Sequence, residues 1–196
     1  MSPRHNQPAR LRILSAARRI HRSQGVAALS IRAVAREVGL TPMAIYRHFE
    51  DKDALLMALV QEGFAKLEVE FAKAVKTKTP LKAVERLLLA YGEFAIEEPH
   101  AFELMFLIRR SNVPEAPASL RVSPSPSFEA AISAVREGME TGALRRDDPG
   151  ETILTAWATA HGLIALHFTG RFKGDDDVFR TIYRRAVKRL LVMLAG

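Results

Sequence analysis

Thr41, Tyr46, Arg47 and His48 fall within one eight-residue stretch, and each side chain can hydrogen-bond a phosphate or the edge of a base. Arg47 can pair with a phosphate or donate twice to a guanine. Thr41 can donate to either group, and Pro42, Met43 and Ala44 beside it offer the apolar surface that suits thymine methyl groups. Tyr46 and His48 reach phosphates from a helix flank, and Lys52 just beyond can reach another. Ser30 and Arg32, upstream, carry the same capacity. Each has a plainer reading: Tyr46 as half-buried packing, His48 as an incidental surface group, Pro42 as a helix starter, Arg32 and Arg36 as solvated charges.

Catalytic arrangements are missing from the chain. No G-x-x-x-x-G-K-[ST], G-x-G-x-x-G, H-E-x-x-H or G-x-S-x-G occurs. There is no cysteine, which removes disulfides, thiolate chemistry and cysteine metal sites. The six histidines show no metal-ligand spacing, and the acid runs Asp147-Asp148 and Asp175-Asp176-Asp177 sit where helix capping explains them. The expectation is a protein that is not an enzyme, with no cofactor and no metal.

The elements that must hold the 41–48 side chains are helical. Ile31, Val34, Ala35 and Val38 share one helix face, and Ser30 is a good N-cap for it. Gly39 permits a tight turn, and Thr41-Pro42 then opens a second helix whose Ile45 and Phe49 lie one turn apart. Two short helices crossing about a glycine turn form a helix-turn-helix at 30–49, the second helix presenting its outward residues to a DNA major groove. Upstream, Leu11, Leu14, Ala17 and Ile20 form a stripe that ends at Gly25. Downstream, helices are expected from Glu50-Asp51 to about Lys76, from Thr79-Pro80 to about Glu97, and from Glu98-Pro99 to about Arg110. A loop of four prolines and four serines follows over Asn112–Ser127. Then come Phe128–Gly142, an apolar helix from Asp147-Asp148-Pro149 to Phe168, and a last helix capped by Asp175–Asp177. The fold class is all-α, with about nine helices and no persistent strand alternation.

The charge is unevenly distributed. Residues 1–50 hold nine arginines against Glu37 and Glu50, whereas residues 51–196 hold 20 basic and 20 acidic residues, so the whole net charge of +7 lies in the first quarter. A concentrated basic surface suits a polyanion, because each cation beside a phosphate releases counterions. At 48% hydrophobic the chain can bury a sizeable core. The polar stretch Met1–Arg10 is unlike a signal segment, and Ile153–Phe168 is interrupted by His161, Gly162 and His167, a poor membrane span. A cytoplasmic protein with no membrane partner is expected.

Leu29–Leu56 (L-S-I-R-A-V-A-R-E-V-G-L-T-P-M-A-I-Y-R-H-F-E-D-K-D-A-L-L) resembles the N-terminal domain of TetR-family repressors, through Ser30, Ala35 with Gly39, Tyr46 with Phe49, and Lys52 with Leu55-Leu56. Trp157-Ala158-Thr159-Ala160-His161-Gly162 is similar to the W-x-x-x-H-G signature of one C-terminal subgroup of that family, and E-G-M-E-T-G-A-L-R-R-D-D-P before it also looks like that subgroup. The recognition helix lacks the early lysine of many members, so no base preference carries over.

The resemblance implies a homodimer in which the last two helices form a four-helix bundle with their twins. It implies a three-helix DNA-binding domain at 1–55 and a ligand-binding and dimerisation domain at 56–196. The partners would be double-stranded operator DNA and an unidentified small-molecule effector. Pocket candidates are Phe94, Phe102, Met105, Phe106, Phe128, Trp157 and His161, against the plainer reading that aromatic and Met residues at helical spacing are core. Candidates for the dimer face are His167, Phe168, Ile182, Ala186 and Leu190, which could equally pack within one chain.

Overall fold

The structure, a computed structural model, describes residues 8–77, 79–108 and 126–196, with side chains in the last stretch from Glu129 onward. Among the described residues it is all helical. Nine α-helices run in order: α1 (Ala9–Gln24), α2 (Ile31–Val38), α3 (Pro42–Tyr46), α4 (Lys52–Ala74), α5 (Pro80–Glu97), α6 (Pro99–Phe102), α7 (Pro126–Glu140), α8 (Pro149–Phe168) and α9 (Asp176–Leu194). No strand accompanies them, only an isolated antiparallel bridge between Leu144 and Ala195. Two compact units form. One runs to Phe64 and takes in His100–Ile108; the other comprises Ala65–Pro99 and Arg109–Gly196.

In the first unit α1 packs on α2, and α2 on α3. The apolar stripe of α1 is buried at Ile13, Leu14, Ala16, Ala17 and Ile20. Ser30 caps α2 by accepting the Ala33 amide at 3.1 Å. Gly39 ends that helix at φ 70°, a left-handed conformation that glycine adopts without a Cβ penalty. The Leu40 amide closes back on the Ala35 carbonyl at 2.9 Å. Thr41 caps α3 through the Ala44 amide at 3.3 Å, with Pro42 in its first turn. Asp51 caps α4 through the Ala54 amide at 2.7 Å.

In the second unit α5 packs against α7, α8 and α9, and α8 also packs on α7 and α9. The crossing of α5 and α9 is close at Gly92, where an added Cβ would lie 2.3 Å from Cε1 of Tyr183. Tyr183 is buried and its hydroxyl donates to the Leu88 carbonyl at 2.8 Å, which anchors the ring against Gly92. At the rim of this contact Arg180 pairs with Glu93 at 2.8 Å and with Asp177 at 2.8 Å, and Arg184 reaches Glu93 at 3.1 Å. The end of α9 is tied down where the Arg145 amide bonds the Leu194 carbonyl at 2.9 Å.

Three boundaries differ from the sequence expectation. The helix expected from Glu98-Pro99 to about Arg110 is α-helical only to Phe102; Glu103–Leu107 is a π-helical turn closed by the Ile108 amide on the Glu103 carbonyl at 3.2 Å. Over a single turn, apolar spacing does not distinguish 3.6 residues from a wider pitch. The helix expected over Phe128–Gly142 spans Pro126–Glu140. Proline's fixed φ suits a first helical turn, so the last proline of the loop belongs to the helix. The rest of the proline- and serine-rich loop, up to residue 125, lies outside the described residues, as does Arg110.

Gly92→Ala is expected to destabilise the second unit. The overlap with an anchored ring costs on the order of 1–3 kcal/mol beyond the ~1 kcal/mol gain in helix propensity. A lower urea midpoint is the expected result; an unchanged or higher one would show that Tyr183 moves aside freely.

Candidate nucleic-acid interface and polar cluster

The apolar anchors of the helix-turn-helix are inside and its polar residues outside. Val34 and Ile45 are completely buried and Phe49 nearly so. Thr41, Pro42, Met43, Tyr46, Arg47 and His48 are all exposed, Met43 at 68% and Tyr46 at 49%. Tyr46 is therefore about half exposed at the surface of α3. An exposed methionine beside an exposed tyrosine is surface with no contact to satisfy it inside the unit. α3 is short: Arg47 is its C-cap, and His48 lies in a turn whose amide bonds the Ile45 carbonyl at 2.9 Å. Ser30 and Arg32 are exposed near the start of α2, and Lys52 is half-buried at the start of α4. The Ser30 and Thr41 hydroxyls accept their capping bonds through oxygen, which leaves each O–H proton available to donate.

The arginines divide into two sets. Arg10 lies over the Phe49 ring at 4.9 Å, Arg12 donates to the Val38 carbonyl at 3.0 Å, Arg18 pairs with Glu62 at 2.5 Å, and Arg19 pairs with Glu37 at 3.0 Å. These brace α1 against the helices beneath it. Arg32, Arg36 and Arg47 are exposed. Part of the basic excess is thus engaged with neighbours at the surface, and the exposed Arg32, Arg36 and Arg47 lie in the helix-turn-helix.

The pocket candidates fall in different units. Phe102 and Met105 are buried in the first unit, where Phe106 meets Phe102 in a tilted contact at 4.9 Å and Phe64 edge-on at 5.6 Å. Phe94, Trp157 and His161 belong to the second, where Phe94 is buried. Trp157 and His161 come together there with a residue that the sequence did not single out, Tyr91. Its hydroxyl lies 2.8 Å from Nδ1 of His161, and Trp157 also hydrogen-bonds the Tyr91 side chain. An indole N–H can only donate, so the phenol oxygen accepts from Trp157 and passes its own proton toward His161. Burial pushes the Tyr91 hydroxyl far above its ordinary pKa, with the Trp157 bond acting the other way. Burial also lowers the His161 pKa, which keeps the ring neutral and Nδ1 an acceptor. The only sequence signal for Tyr91 was its helical spacing with Leu87, Leu88 and Phe94, which looks like core. The Phe128 side chain lies outside the described residues. A surface cleft of about 270 Å³ opens elsewhere in the second unit, lined by Val75, Thr77, Pro80, Ala134 and Glu137 among others, and by none of the pocket candidates.

Gly162, expected to allow close helix packing, has no described atom within 4 Å of an added Cβ; its small face is open in the single chain. Of the dimer-face candidates, Leu190 is buried within the chain, whereas Phe168, Ile182 and Ala186 are half-buried. His167 stacks on Phe179 at 4.0 Å and bonds Asp176 at 3.0 Å. Among the described residues, His21, His100 and Glu103 form the one cluster of metal-ligating side-chain types, and no helix is long and apolar enough to cross a membrane.

The lowered His161 pKa has a consequence in acid. Below the ordinary histidine value of 6.5 the unfolded chain binds a proton that the folded His161 resists. Its contribution to stability is therefore present above 6.5 and is lost as pH falls through the lowered folded value. The thermal midpoint is expected to drop between about pH 7.5 and about pH 5.5. The drop should be smaller in His161→Gln, and an equal drop in both proteins would assign the acid sensitivity to other groups.

Known proteins resemble both units. Residues 13–59 match the family of bacterial regulatory proteins named tetR, and residues 84–190 match the tetracyclin repressor-like C-terminal domain. The chain is 31% identical over 107 residues to the uncharacterized HTH-type transcriptional regulator YobS of Bacillus subtilis, covering 55% of this chain and 56% of that protein, so it spans little more than half of the relative's length. A protein of unknown function from Rhodococcus sp. RHA1 superposes over 100% of both chains with a TM-score of 0.80 at 28% identity. A bacterial regulatory protein of the tetR family from Rhodococcus RHA1 superposes over 97% of this chain and 98% of its own, with a TM-score of 0.70 at 18% identity. With both units matched, and the C-terminal match alone spanning more than half of the sequence, the chain belongs to the TetR family of transcriptional regulators.

Proposed function

We propose that the protein is a ligand-responsive transcriptional repressor that binds palindromic operator DNA as a homodimer and is released by a small molecule. The observation that carries this is the outward face of α3: Met43, Tyr46 and Arg47 stand exposed beside the buried Ile45 and Phe49. Residues 1–55 are the DNA-binding domain in this reading, and 56–196 the ligand-binding and dimerisation domain. Arg47 and Thr41 contact bases or phosphates, Met43 and Pro42 contact thymine methyls, and Ser30, Arg32, Tyr46, His48 and Lys52 hold phosphates.

Dimerisation through α8 and α9 would use Phe168, Ile182 and Ala186 with the exposed Leu166, close to the open face of Gly162. His167 and Leu190 would support that face from their contacts inside the chain. The two heads would then sit ~34–36 Å apart, one turn of DNA. An effector that favours another spacing weakens operator binding by its differential affinity for that state. Trp157 and His161, with Phe94, are the proposed effector contacts in the second unit, and Phe102, Met105, Phe106 and Phe128 are further candidates. Trp157 and His161-Gly162 also support placing the chain in the W-x-x-x-H-G subgroup. Cytoplasmic action follows from a DNA partner.

A second reading, a DNA-binding regulator without an effector, is favoured by one observation: Tyr91 already satisfies Nδ1 of His161. Thermal shift against small-molecule collections, followed by operator release, separates the two.

Arg47→Ala and Tyr46→Ala are each expected to weaken binding to a selected palindromic DNA about tenfold or more, with the dimer unchanged. Parent-like affinity in both variants would sink the recognition-helix assignment. Light scattering at micromolar concentration is expected to give a dimer, which Leu166→Glu should shift toward monomer; a monomeric parent would overturn the dimer.

A further inference from the structure

His21 lies on α1 in the core of the first unit, 3% exposed. Its Nε2 is 2.9 Å from the backbone carbonyl of His100. A carbonyl oxygen only accepts, so Nε2 carries the proton and donates. In the neutral ring Nδ1 is then a bare lone pair. That atom is fully buried and has no hydrogen-bond partner among the described residues. Buried polar atoms are nearly always paired, so an orphaned one calls for a cause: strain, a functional role, or a held water or ion.

The neighbours supply the rest of a ligand set. The His100 ring meets His21 edge-on, with centroids 5.6 Å apart and planes at 74°. Glu103 follows one turn later, where α6 widens into its π-helical turn. One ligand-type atom from each of the three residues lies within 4.8 Å of the other two. A metal-bound histidine typically donates its other ring N–H to a backbone carbonyl or carboxylate, which fixes the tautomer and aims the lone pair. His21 is held in that arrangement before any ion arrives.

We propose that His21, His100 and Glu103 bind one divalent transition-metal ion of the zinc type, with water in the fourth position, pinning residues 100–108 to α1. Two imidazoles and one carboxylate form a three-ligand set that zinc accepts, and the nitrogen donors disfavour calcium and magnesium. Ligand atoms around a tetrahedral zinc stand about 3.3 Å apart, given bonds of about 2.0–2.1 Å. Any separation beyond that must close on binding. His21 is fixed by its carbonyl bond, so that closing falls to His100 and Glu103, whose side chains are only half-buried and free to rotate toward it. The two histidines are 79 residues apart, so linear spacing gives no hint of the site.

The test uses the full chain, stripped with a chelator and titrated with zinc chloride against a chromophoric zinc indicator. The expected result is one equivalent per chain at micromolar affinity or tighter, with a raised melting temperature. Glu103→Gln and His100→Ala should each weaken binding at least tenfold, and the double variant should lose the zinc-induced rise while melting like the parent without metal. Failure of the parent to bind zinc at micromolar concentration overturns the site, leaving His21 a packed core histidine. Parent-like affinity in Glu103→Gln or in the double variant overturns it equally, by placing the metal elsewhere.

Discussion

A helix of five residues has no stability of its own, because the cost of nucleation is not recovered in so few hydrogen bonds. α3 exists only because Ile45 and Phe49 are buried beneath it and because Thr41 and Gly39 fix the chain at its entry. The rest of the outward-facing chemistry of α3 depends on that constraint. With Ile45 fixed inward, Met43, Tyr46 and Arg47 must face out. Moving the apolar anchor by one position along the helix would rotate the outward set by about 100° and break the surface. The left-handed Gly39 has the same standing, since a Cβ there would strain the turn that sets the crossing of α2 and α3.

The arginine excess gains meaning from that geometry. A net charge of +7 confined to fifty residues would repel itself if all of it were solvated at close range. Arg12, Arg18 and Arg19 are instead consumed by a helix-end carbonyl and by Glu62 and Glu37, and Arg10 by the Phe49 ring. Such partly exposed pairs contribute little to stability individually, on the order of 0–1 kcal/mol. Their larger effect is on position: each holds a long side chain of α1 against a neighbouring segment, while Arg22, Arg32, Arg36 and Arg47 stand exposed.

Most of the helical architecture was legible in the sequence because glycine, proline and capping residues punctuate it at short range. Ser30, Gly39, Thr41-Pro42, Asp148-Pro149 and Asp175 mark their boundaries through interactions that span three or four residues. The features that were not legible are set by contacts between distant segments. Tyr91 looked like core because its partners, Trp157 and His161, lie on another helix about seventy residues on. The π-helical turn at Glu103–Leu107 hides inside an apolar run that suits an α-helix equally well. Gly162 reads as a packing glycine, yet nothing among the described residues lies within 4 Å of a Cβ added there. The exposed face of α3 was legible for the opposite reason: its pattern is local, and the helix-turn-helix needs no distant partner to be recognised.

The buried His21 and the half-buried His161 show how one residue type takes opposite roles according to what meets its second nitrogen. His161 faces Tyr91, whose hydroxyl donates to Nδ1, and burial keeps the ring neutral within a chain of hydrogen bonds that starts at Trp157. That ring resists protonation, and the cost appears as acid sensitivity. His21 donates through Nε2 to a carbonyl and leaves Nδ1 bare in the core. A tyrosine or serine beside it would have closed the account by hydrogen bonding alone. The side chains nearby are instead His100 and Glu103: the carboxylate only accepts, and the His100 ring offers one N–H and one lone pair. A divalent cation held between the three would take a lone pair from each residue at once, whereas a single shared proton bridges only two.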